Sequence, residues 1–360
     1  PTLAGILTQH FGADARLQTL ALFFPYSVIP FSMPGRKFPT SSQIPDGFSV
    51  TPQITATFFA QPDLKNSYSQ QANLASDYLI GKETVISLSY NFVRGLKLPG
   101  VRNLNPVVRP VTNDVVRSVI EGRVDPTKGE LREFESAFDS YYHALTISIN
   151  RRFANKIGFL ASYVFSKNID DALPFSTNEE IVTGNPVNPL VPANERGLSS
   201  QDVRNRFVFS GIWDINYFRK PIFKDFQLSA ILKLNSGQPY NLLTGVDLDM
   251  NGEIFGPVAD RPAGLGRNAG ITPGFASLDL RLTRSITVAD RYKFQASIEA
   301  FNFFNKVNID PNNINNIFPP DENNNFLLPP QRNGRYIATP DRYLGAFAPR
   351  QLQLSFRLIF

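Results

Sequence analysis

The stretch GVDLDMNGEIFGPVADRP has a spacing of oxygen-bearing side chains that is typical of cation-binding loops. Asp247, Asp249 and Asn251 alternate along it, and Gly252 follows them. Alternating carboxylate and amide oxygens wrap around a hard cation such as Ca²⁺, and the glycine permits the sharp turn that such a loop needs. The spacing therefore predicts a Ca²⁺ loop at these residues.

The same loop departs from the EF-hand pattern at its twelfth position. An EF-hand supplies a bidentate glutamate there, whereas this chain has Val258. Glu253 or Asp260 would have to complete the ligand set. The alternative prediction is a metal-free loop that Asx turns stabilise.

The sequence shows no recognisable catalytic motif. The chain has no cysteine, which excludes disulfides, thiolate metal sites and cysteine nucleophiles, and its only two histidines are His10 and His143. It has no G-x-S-x-G elbow, and GLGRNAG at 264–270 has the wrong glycine spacing for a dinucleotide turn. The Asp170–Asp171 pair either binds a ligand or solvates the start of a loop. We predict that the chain is not an enzyme and holds no cofactor beyond the Ca²⁺ considered above.

The charge balance does not indicate a nucleic-acid partner. The net charge is +5 and the pI is about 9.3, but the basic residues are scattered and form no block interleaved with aromatic residues. No stretch of about 18 residues is uniformly apolar, so no transmembrane helix is predicted. The first residues also lack the pattern of a signal peptide, so we expect that a signal has been removed or that these 360 residues belong to a longer chain.

Alternation of apolar and polar residues runs through most of the chain from about residue 70. In ETVISLSYNFV, for example, Ile86, Leu88 and Tyr90 share one face, and Ser87 and Ser89 share the other. This period of two is typical of β-strands with one apolar and one polar face. It predicts nine strands, at roughly 70–80, 83–93, 138–151, 157–167, 204–217, 224–236, 275–287, 291–304 and 349–360.

The connections between these strands alternate in length. The short ones fall at 81–82, 152–156, 218–223 and 288–291, and the long ones fall at about 94–137, 168–203, 237–274 and 305–348. Short turns at one end and long loops at the other are typical of barrels in the bacterial outer membrane, whose tilted strands need about nine to eleven residues to cross the bilayer. We predict an all-β, antiparallel transmembrane β-barrel. The alternative is a soluble all-β binding module whose apolar face is a core.

A barrel of this kind exposes its apolar face to outer-membrane lipid and its polar face to a lumen. We expect the charged residues of the polar face to line a solute path or to hold a plug; they are Arg281, Arg284, Lys293, Glu299 and Arg357. Aromatic residues near strand ends are expected to anchor the barrel at the membrane interfaces, among them Tyr90, Phe92, Tyr163, Phe165, Trp213, Phe301, Phe304 and Phe360.

The chain divides into two regions. Residues 1–69 include a Pro- and Ser-rich segment and predict an irregular, extracellular loop region with at most one or two strands. Residues 70–360 predict the transmembrane strands with their short periplasmic turns and long extracellular loops.

Several motifs resemble the Oar-like branch of TonB-dependent receptors. In YYHALTISINRRFANKIGFLASYVFSKNIDDA, a strand that ends in R-R-F turns into one that ends in S-K-x-I-D-D, as in that family. PDLKNSYSQQANL, SSQDVRNRFVFSGIWDIN, ADRPAGLGRN, GFASLDLRLTRSITV and FQASIEAFNFFNKVN also agree with the family, in the same order. The resemblance covers about residues 62–360.

This resemblance implies the C-terminal portion of a barrel of about 22 strands, with about nine to ten of them in this chain. It implies solute uptake or export in which the long loops capture a ligand and TonB displaces a plug that is not visible in this sequence. TonB would act only through that plug. The alternative is a structural or interaction protein, a partial barrel whose open edges a partner chain completes, because unpaired strand edges are costly in lipid.

The last strand, in APRQLQLSFRLIF, alternates without interruption. Its apolar face carries Leu352, Leu354, Phe356, Leu358 and Phe360. The resemblance implies that this is the closing strand of the barrel. Its terminal aromatic resembles the signal by which the barrel-assembly machinery recognises its clients.

Overall fold

The structure is a computed structural model, and it describes residues 56–110, 117–118, 121–171, 190–215, 224–246, 248, 260–288, 292–323 and 325–359. Within this part of the chain the strands are β1 (Ala56–Ala60), β2 (Tyr68–Ile80), β3 (Thr84–Asn103), β4 (Glu130–Ala154), β5 (Ile157–Asp170), β6 (Gly197–Leu198), β7 (Asn205–Ile215), β8 (Phe226–Asn235), β9 (Pro239–Tyr240), β10 (Gly270–Ile271), β11 (Phe275–Val288), β12 (Tyr292–Phe301), β13 (Gln331–Arg332), β14 (Arg335–Ile337) and β15 (Gln351–Ile359). The described residues also include two short 3-10 helices, Pro192–Glu195 and Pro340–Arg342.

All nine predicted strands are confirmed, as β2, β3, β4, β5, β7, β8, β11, β12 and β15. They form one sheet in the order β15-β12-β11-β8-β7-β5-β4-β3-β2, and each long strand pairs antiparallel with the next one along the chain. The shortest of the nine, β15, has 9 residues, and the longest, β4, has 25. Each is long enough to cross a bilayer when tilted, whereas strands of soluble domains average about five or six residues.

The two faces of the sheet differ as the alternation predicts. Directly opposed apolar residues form rows across neighbouring strands, for example Leu282, Ile298 and Leu354 on β11, β12 and β15. The residues one position away form polar rows, for example Arg281, Glu299 and Gln353. Because a shift of one residue would turn every side chain to the other face, the alternation fixes the register of these pairs.

The apolar face of the sheet is not a buried core. Leu354 and Phe356 on β15 are 67% and 82% exposed, and Leu74 on β2 is 75% exposed. A soluble protein would cover such a face, whereas lipid solvates it in a membrane. No helix among the described residues is long and apolar enough to cross a membrane.

The first long connection is shorter than the sequence predicts. β3 continues to Asn103 and β4 begins at Glu130, so much of the segment expected to be loop at 94–137 is a strand pair that extends beyond the predicted strands. Buried Val101 and Phe138 pack there, and β1 adds to β4 in parallel. Register shifts around Leu98 and Gly100 break the alternation, which is why the pattern does not reveal these strand ends.

The short turns lie at one end of the sheet. Asn155 and Lys156 join β4 to β5, and both have positive φ, 50° and 72°. A two-residue turn with positive φ at both residues has a backbone twist that matches the right-handed twist of the strands that it connects. The turns after β7 and β11 include residues outside the described part of the chain.

Described parts of the connections from β8 to β11 and from β12 to β15 fold into a second structure, which we call the loop layer. It is the four-stranded sheet β13-β14-β10-β9 with the residues that pack on it. Its core contains buried Tyr240, Leu242, Phe318 and Ala338. The described part of the chain therefore has its apolar core cluster in the loops and not between the long strands.

Candidate functional site

The predicted polar-face residues share one face of the sheet. Arg281 on β11 lies directly opposite Glu299 on β12, and its Nε is 3.2 Å from Oε1 of that carboxylate. Lys293 lies on the same face of β12 as Glu299. Arg357 on β15 lies directly opposite Gln295 on β12, and therefore on that face too. The structure thus gathers four charged side chains on the face opposite the leucine rows. That this face lines a lumen stays a prediction.

The apolar residues of the last strand also share one face. Leu352, Leu354, Phe356 and Leu358 are between 50% and 82% exposed, and Phe360 lies outside the described residues. Their partners on β12 include Ile298 and Phe294. A role of this strand in recognition by the assembly machinery stays a prediction.

Arg284 lies on the face opposite to the one predicted. Arg284 pairs with Ala296, which in turn pairs with Phe356, so it belongs to the apolar face. It lies near the short-turn end of β11, where its guanidinium carbon is 5.2 Å from the ring centroid of Phe226. Phe301 has the opposite parity from Ile298 and lies on the polar face. The assignment of Arg284 to the polar face was wrong because it ignored the strict parity of β11, whereas anchoring by Phe301 stays a prediction.

Buried ion pairs fasten the loop layer to the end of the long strands. Arg261 donates two hydrogen bonds to the carboxylate of Glu195, at 2.8 and 2.7 Å. Arg267 donates to the backbone carbonyl of Glu195 and to the side chain of Asp170. Burial lowers the pKa of Arg267 to about 10, so its guanidinium is still charged at neutral pH. Both arginines belong to the motif ADRPAGLGRN.

The acid pair at the end of β5 has a structural role and does not simply solvate a loop. Asp170 binds Arg267, and Oδ1 of Asp171 accepts a hydrogen bond from the backbone amide of Asp139. Burial raises the pKa of Asp171. The prediction that the pair solvates the loop start was wrong, because its partners come from segments that are distant in sequence.

The proposed Ca²⁺ ligands Asp247, Asp249 and Asn251 lie outside the described residues, so the Ca²⁺ site stays a prediction. Asp260, which follows the same loop, is described and 5% exposed. Its carboxylate accepts a hydrogen bond from the backbone amide of Leu248 at 2.6 Å. This contact closes the base of the loop.

His143 lies on the apolar face of β4, opposite Phe92 on β3. Its Nδ1 is 2.7 Å from the hydroxyl of Tyr90, and its ring centroid is 5.0 Å from that of Phe92. An aromatic cluster of this kind near the long-connection end suits a membrane interface.

The polar face holds a cavity of about 540 Å³ beneath the loop layer, within the size range of about 300–1,000 Å³ that is usual for small-molecule sites. Its floor is formed by the ends of β8, β11 and β12, with Lys233, Asn235 and Asp279. The loop segments supply its walls, and Phe275 and Phe301 contribute aromatic surface. Sequence reasoning missed this cavity because its lining comes from five separate segments.

A long-stranded antiparallel sheet with one lipid-compatible face and one polar face defines a membrane-spanning β-barrel fold. The sequence profile of the outer membrane beta barrel domain family matches residues 5–265, which is well over half of the chain. The chain belongs to this family, and it is an all-β protein of the bacterial outer membrane. No curated protein was found to match it.

Several solved structures are similar to this chain. The outer membrane transporter YddB from Escherichia coli is 10% identical, and the match covers 86% of this chain and 34% of that one with a TM-score of 0.46. The FrpB iron transporter from Neisseria meningitidis is 13% identical, with 85% and 34% covered and a TM-score of 0.43. A variant of the ferric enterobactin receptor PfeA from Pseudomonas aeruginosa is 14% identical. That match covers 82% of this chain and 31% of that one, with a TM-score of 0.44. The chain spans about a third of the length of these structures.

Proposed function

We propose that this chain is the barrel region of a TonB-dependent transporter of the Oar-like branch, and that it binds or moves a solute across the outer membrane without catalysing a reaction. One observation carries the proposal: the loop layer and the polar face of a membrane-spanning sheet together wall a solute-sized cavity. The Oar-like part rests on the sequence motifs. Arg261 and Arg267 give one of these motifs a physical role, since they join the loop layer to the sheet.

In the proposed mechanism the loops capture the solute and the polar face guides it. The Arg281–Glu299 pair and the neighbouring Lys293 and Arg357 offer charges of both signs along that face. TonB would act by displacing a plug, so its contact would be made by the plug region and not by these strands. The other partners proposed are outer-membrane lipid, the barrel-assembly machinery and the strands that complete the barrel.

A gene deletion tests this function. Solutes in the medium are measured over time by mass spectrometry for cells with the full-length protein, cells without it and cells depleted of TonB. We expect one class of solute to disappear with the first cells and to persist with the other two. Identical depletion in all three cultures would contradict the proposal.

The open edges of the sheet support a second candidate, a partial barrel completed by another chain. Among the described residues β2 pairs only with β3, and β15 pairs only with β12. An unpaired strand edge in lipid leaves backbone groups without partners, so something must cover both edges.

A photo-crosslinker placed at Ala75 in β2 or at Ser355 in β15 separates the two candidates. The transporter proposal predicts crosslinks within one full-length polypeptide, which change its gel migration without adding mass. Crosslinks to a separate polypeptide would favour the partial barrel.

A further inference from the structure

We propose that the cavity beneath the loop layer binds a zwitterionic solute, an amino acid or a short peptide. Its ammonium group would contact Asp279 and Asn235, and its carboxylate would contact Lys233. This inference rests on the proposed function, because it names the class of solute that the barrel would receive.

The sheet places the three polar groups on one face in a fixed register. Lys233 on β8 lies directly opposite Ser277 on β11, and Asp279 follows two positions further along the same face. Asn235 follows Lys233 on that face of β8 and pairs with Phe275. All five residues line the cavity.

Each of the three polar groups has hydrogen-bonding or charge-pairing capacity that the described residues leave unused. Asp279 accepts hydrogen bonds from the Ser277 hydroxyl and from the backbone amide of Asn302. Both donors bind the same carboxylate oxygen, Oδ1, which leaves Oδ2 for a ligand. Oδ1 of Asn235 is buried and has no hydrogen-bond donor in the described part of the chain. Lys233 makes no ion pair or hydrogen bond with any described residue. The buried Oδ1 of Asn235 is costly without a donor, so a ligand that supplies one binds favourably there. Lys233 is exposed and Asp279 is half-buried, so both can reach a charged ligand in the cavity.

The unused groups require opposite charges on the ligand. Asp279 and Asn235 accept hydrogen bonds and therefore suit a donor with several protons, such as an ammonium. Lys233 donates and therefore suits a carboxylate. A neutral sugar carries no charge for Asp279 or Lys233, so it would form only the weaker, neutral kind of hydrogen bond with them.

The aromatic residues of the cavity suit the remaining part of a peptide. Phe275 and Phe347 lie edge to face, with ring centroids 5.6 Å apart, and Phe301 lies beside Gln351. Together these rings provide apolar surface for a side chain next to the polar floor. The cavity volume of about 540 Å³ leaves room for more than one residue.

Equilibrium dialysis tests this inference with the full-length protein in detergent micelles and labelled Ala-Phe-Ala as the probe. The probe is used with free termini and in an acetylated and amidated form that carries no charge. We expect blocking the termini to weaken binding by about tenfold or more, as expected for loss of charge-assisted contacts. Asp279→Asn and Lys233→Gln should each weaken binding of the free peptide by about tenfold.

Matched controls are Asp214→Asn on the same face of β7 and Lys224→Gln before β8, neither of which lines the cavity. Both should bind the free peptide as the unaltered protein does. Equal binding of free and blocked peptide, or undiminished binding by Asp279→Asn, would overturn the inference. Binding of maltotriose that depends on Asp279 and Lys233 would overturn it in favour of a neutral polyol.

Heat-modifiable gel migration of the same samples separates this inference from the function on which it rests. A protein that migrates as a folded barrel yet binds no peptide would refute only the zwitterionic ligand. A protein without heat-modifiable migration would contradict the barrel transporter itself.

Discussion

Tyr240 and Tyr343 lie in the same small core of the loop layer, but their hydroxyl groups differ. The Tyr343 hydroxyl donates a hydrogen bond to the carbonyl of Ala338 at 2.9 Å. The Tyr240 hydroxyl is buried and has no hydrogen-bond partner among the described residues. A buried polar group without a partner destabilises a protein, whereas one that is hydrogen-bonded contributes modestly to stability.

Phenylalanine substitutions should therefore have opposite effects at these two positions. We expect Tyr240→Phe to raise the free energy of opening of the loop layer by about 1 kcal/mol and Tyr343→Phe to lower it by about 1 kcal/mol. Hydrogen exchange of the Ala338 amide, which donates to Ile271, measures that opening. A loss of stability in both variants would contradict the assignment of the Tyr240 hydroxyl as unsatisfied.

We also expect the loop layer to lose stability at high pH because of Tyr240. Burial raises the pKa of Tyr240 to about 12, above the unfolded value of about 10. The folded loop layer therefore holds this proton more tightly, and its stability should fall as the pH rises from about 10 to about 12. The decline should be smaller in Tyr240→Phe when the same amide exchange is followed. An identical decline in both proteins would contradict the raised pKa.

Glu195 is one of the acceptors that join the loop layer to the rest of the molecule. Its side chain is 2% exposed and binds Arg261 through both oxygens. Glu195→Gln leaves a buried guanidinium without its counter-charge, so we expect it to destabilise the loop layer by about 3–5 kcal/mol.

Limited proteolysis of the loops measures this effect. The matched control is Glu121→Gln, which removes an exposed carboxylate paired with Arg117 and should not change the cleavage rate. Equal cleavage rates for Glu195→Gln and the unaltered protein would show that the ion pair does not hold the loops.

At the scale of elements, the long strands could be predicted from the sequence, and the loop layer could not. The strands follow from local alternation, which Ile86, Leu88 and Tyr90 show within five residues. The loop layer depends on contacts between distant segments. Arg261 and Glu195 are 66 residues apart, and Arg267 and Asp170 are 97 residues apart. No local pattern encodes such pairs.

The candidate site was predictable only in part for the same reason. The alternation of faces along β11 and β12 is sufficient to place Arg281 and Glu299 on the polar face. Because Phe301 is two residues after Glu299 on β12, the same alternation places it on the polar face. Lys233 and Asp279 lie on different strands. Their shared cavity becomes visible only when the register of β8 and β11 and the position of the loops are known.

The last strand gives a prediction at the scale of an element. Leu354 lies near the middle of β15 on the apolar face, and Gln353 lies next to it on the polar face. Arginine on a lipid-facing side costs about 2–4 kcal/mol at the membrane midplane. We expect Leu354→Arg to lower the unfolding free energy of the full-length protein in lipid vesicles by that amount and Gln353→Arg to change it little. Equal effects would contradict the assigned faces.

At the scale of the whole molecule, the sheet has one apolar face and one polar face, and the loop layer lies at one end of it. The exposed leucine rows need lipid, the charged rows need water, and both sheet edges need further strands. These requirements are met together only within a closed barrel in a membrane.

Spin labels on the last strand test this arrangement most directly. These 360 residues contain no cysteine, so single cysteines can be introduced at positions 351 to 358. They are labelled one at a time in the full-length protein in lipid vesicles, after replacement of any cysteine outside these residues. We predict that labels at 352, 354, 356 and 358 collide mainly with oxygen dissolved in the lipid. Labels at 351, 353, 355 and 357 should collide mainly with a water-soluble nickel complex. Access of the nickel complex to all eight positions without alternation would contradict a membrane-spanning strand.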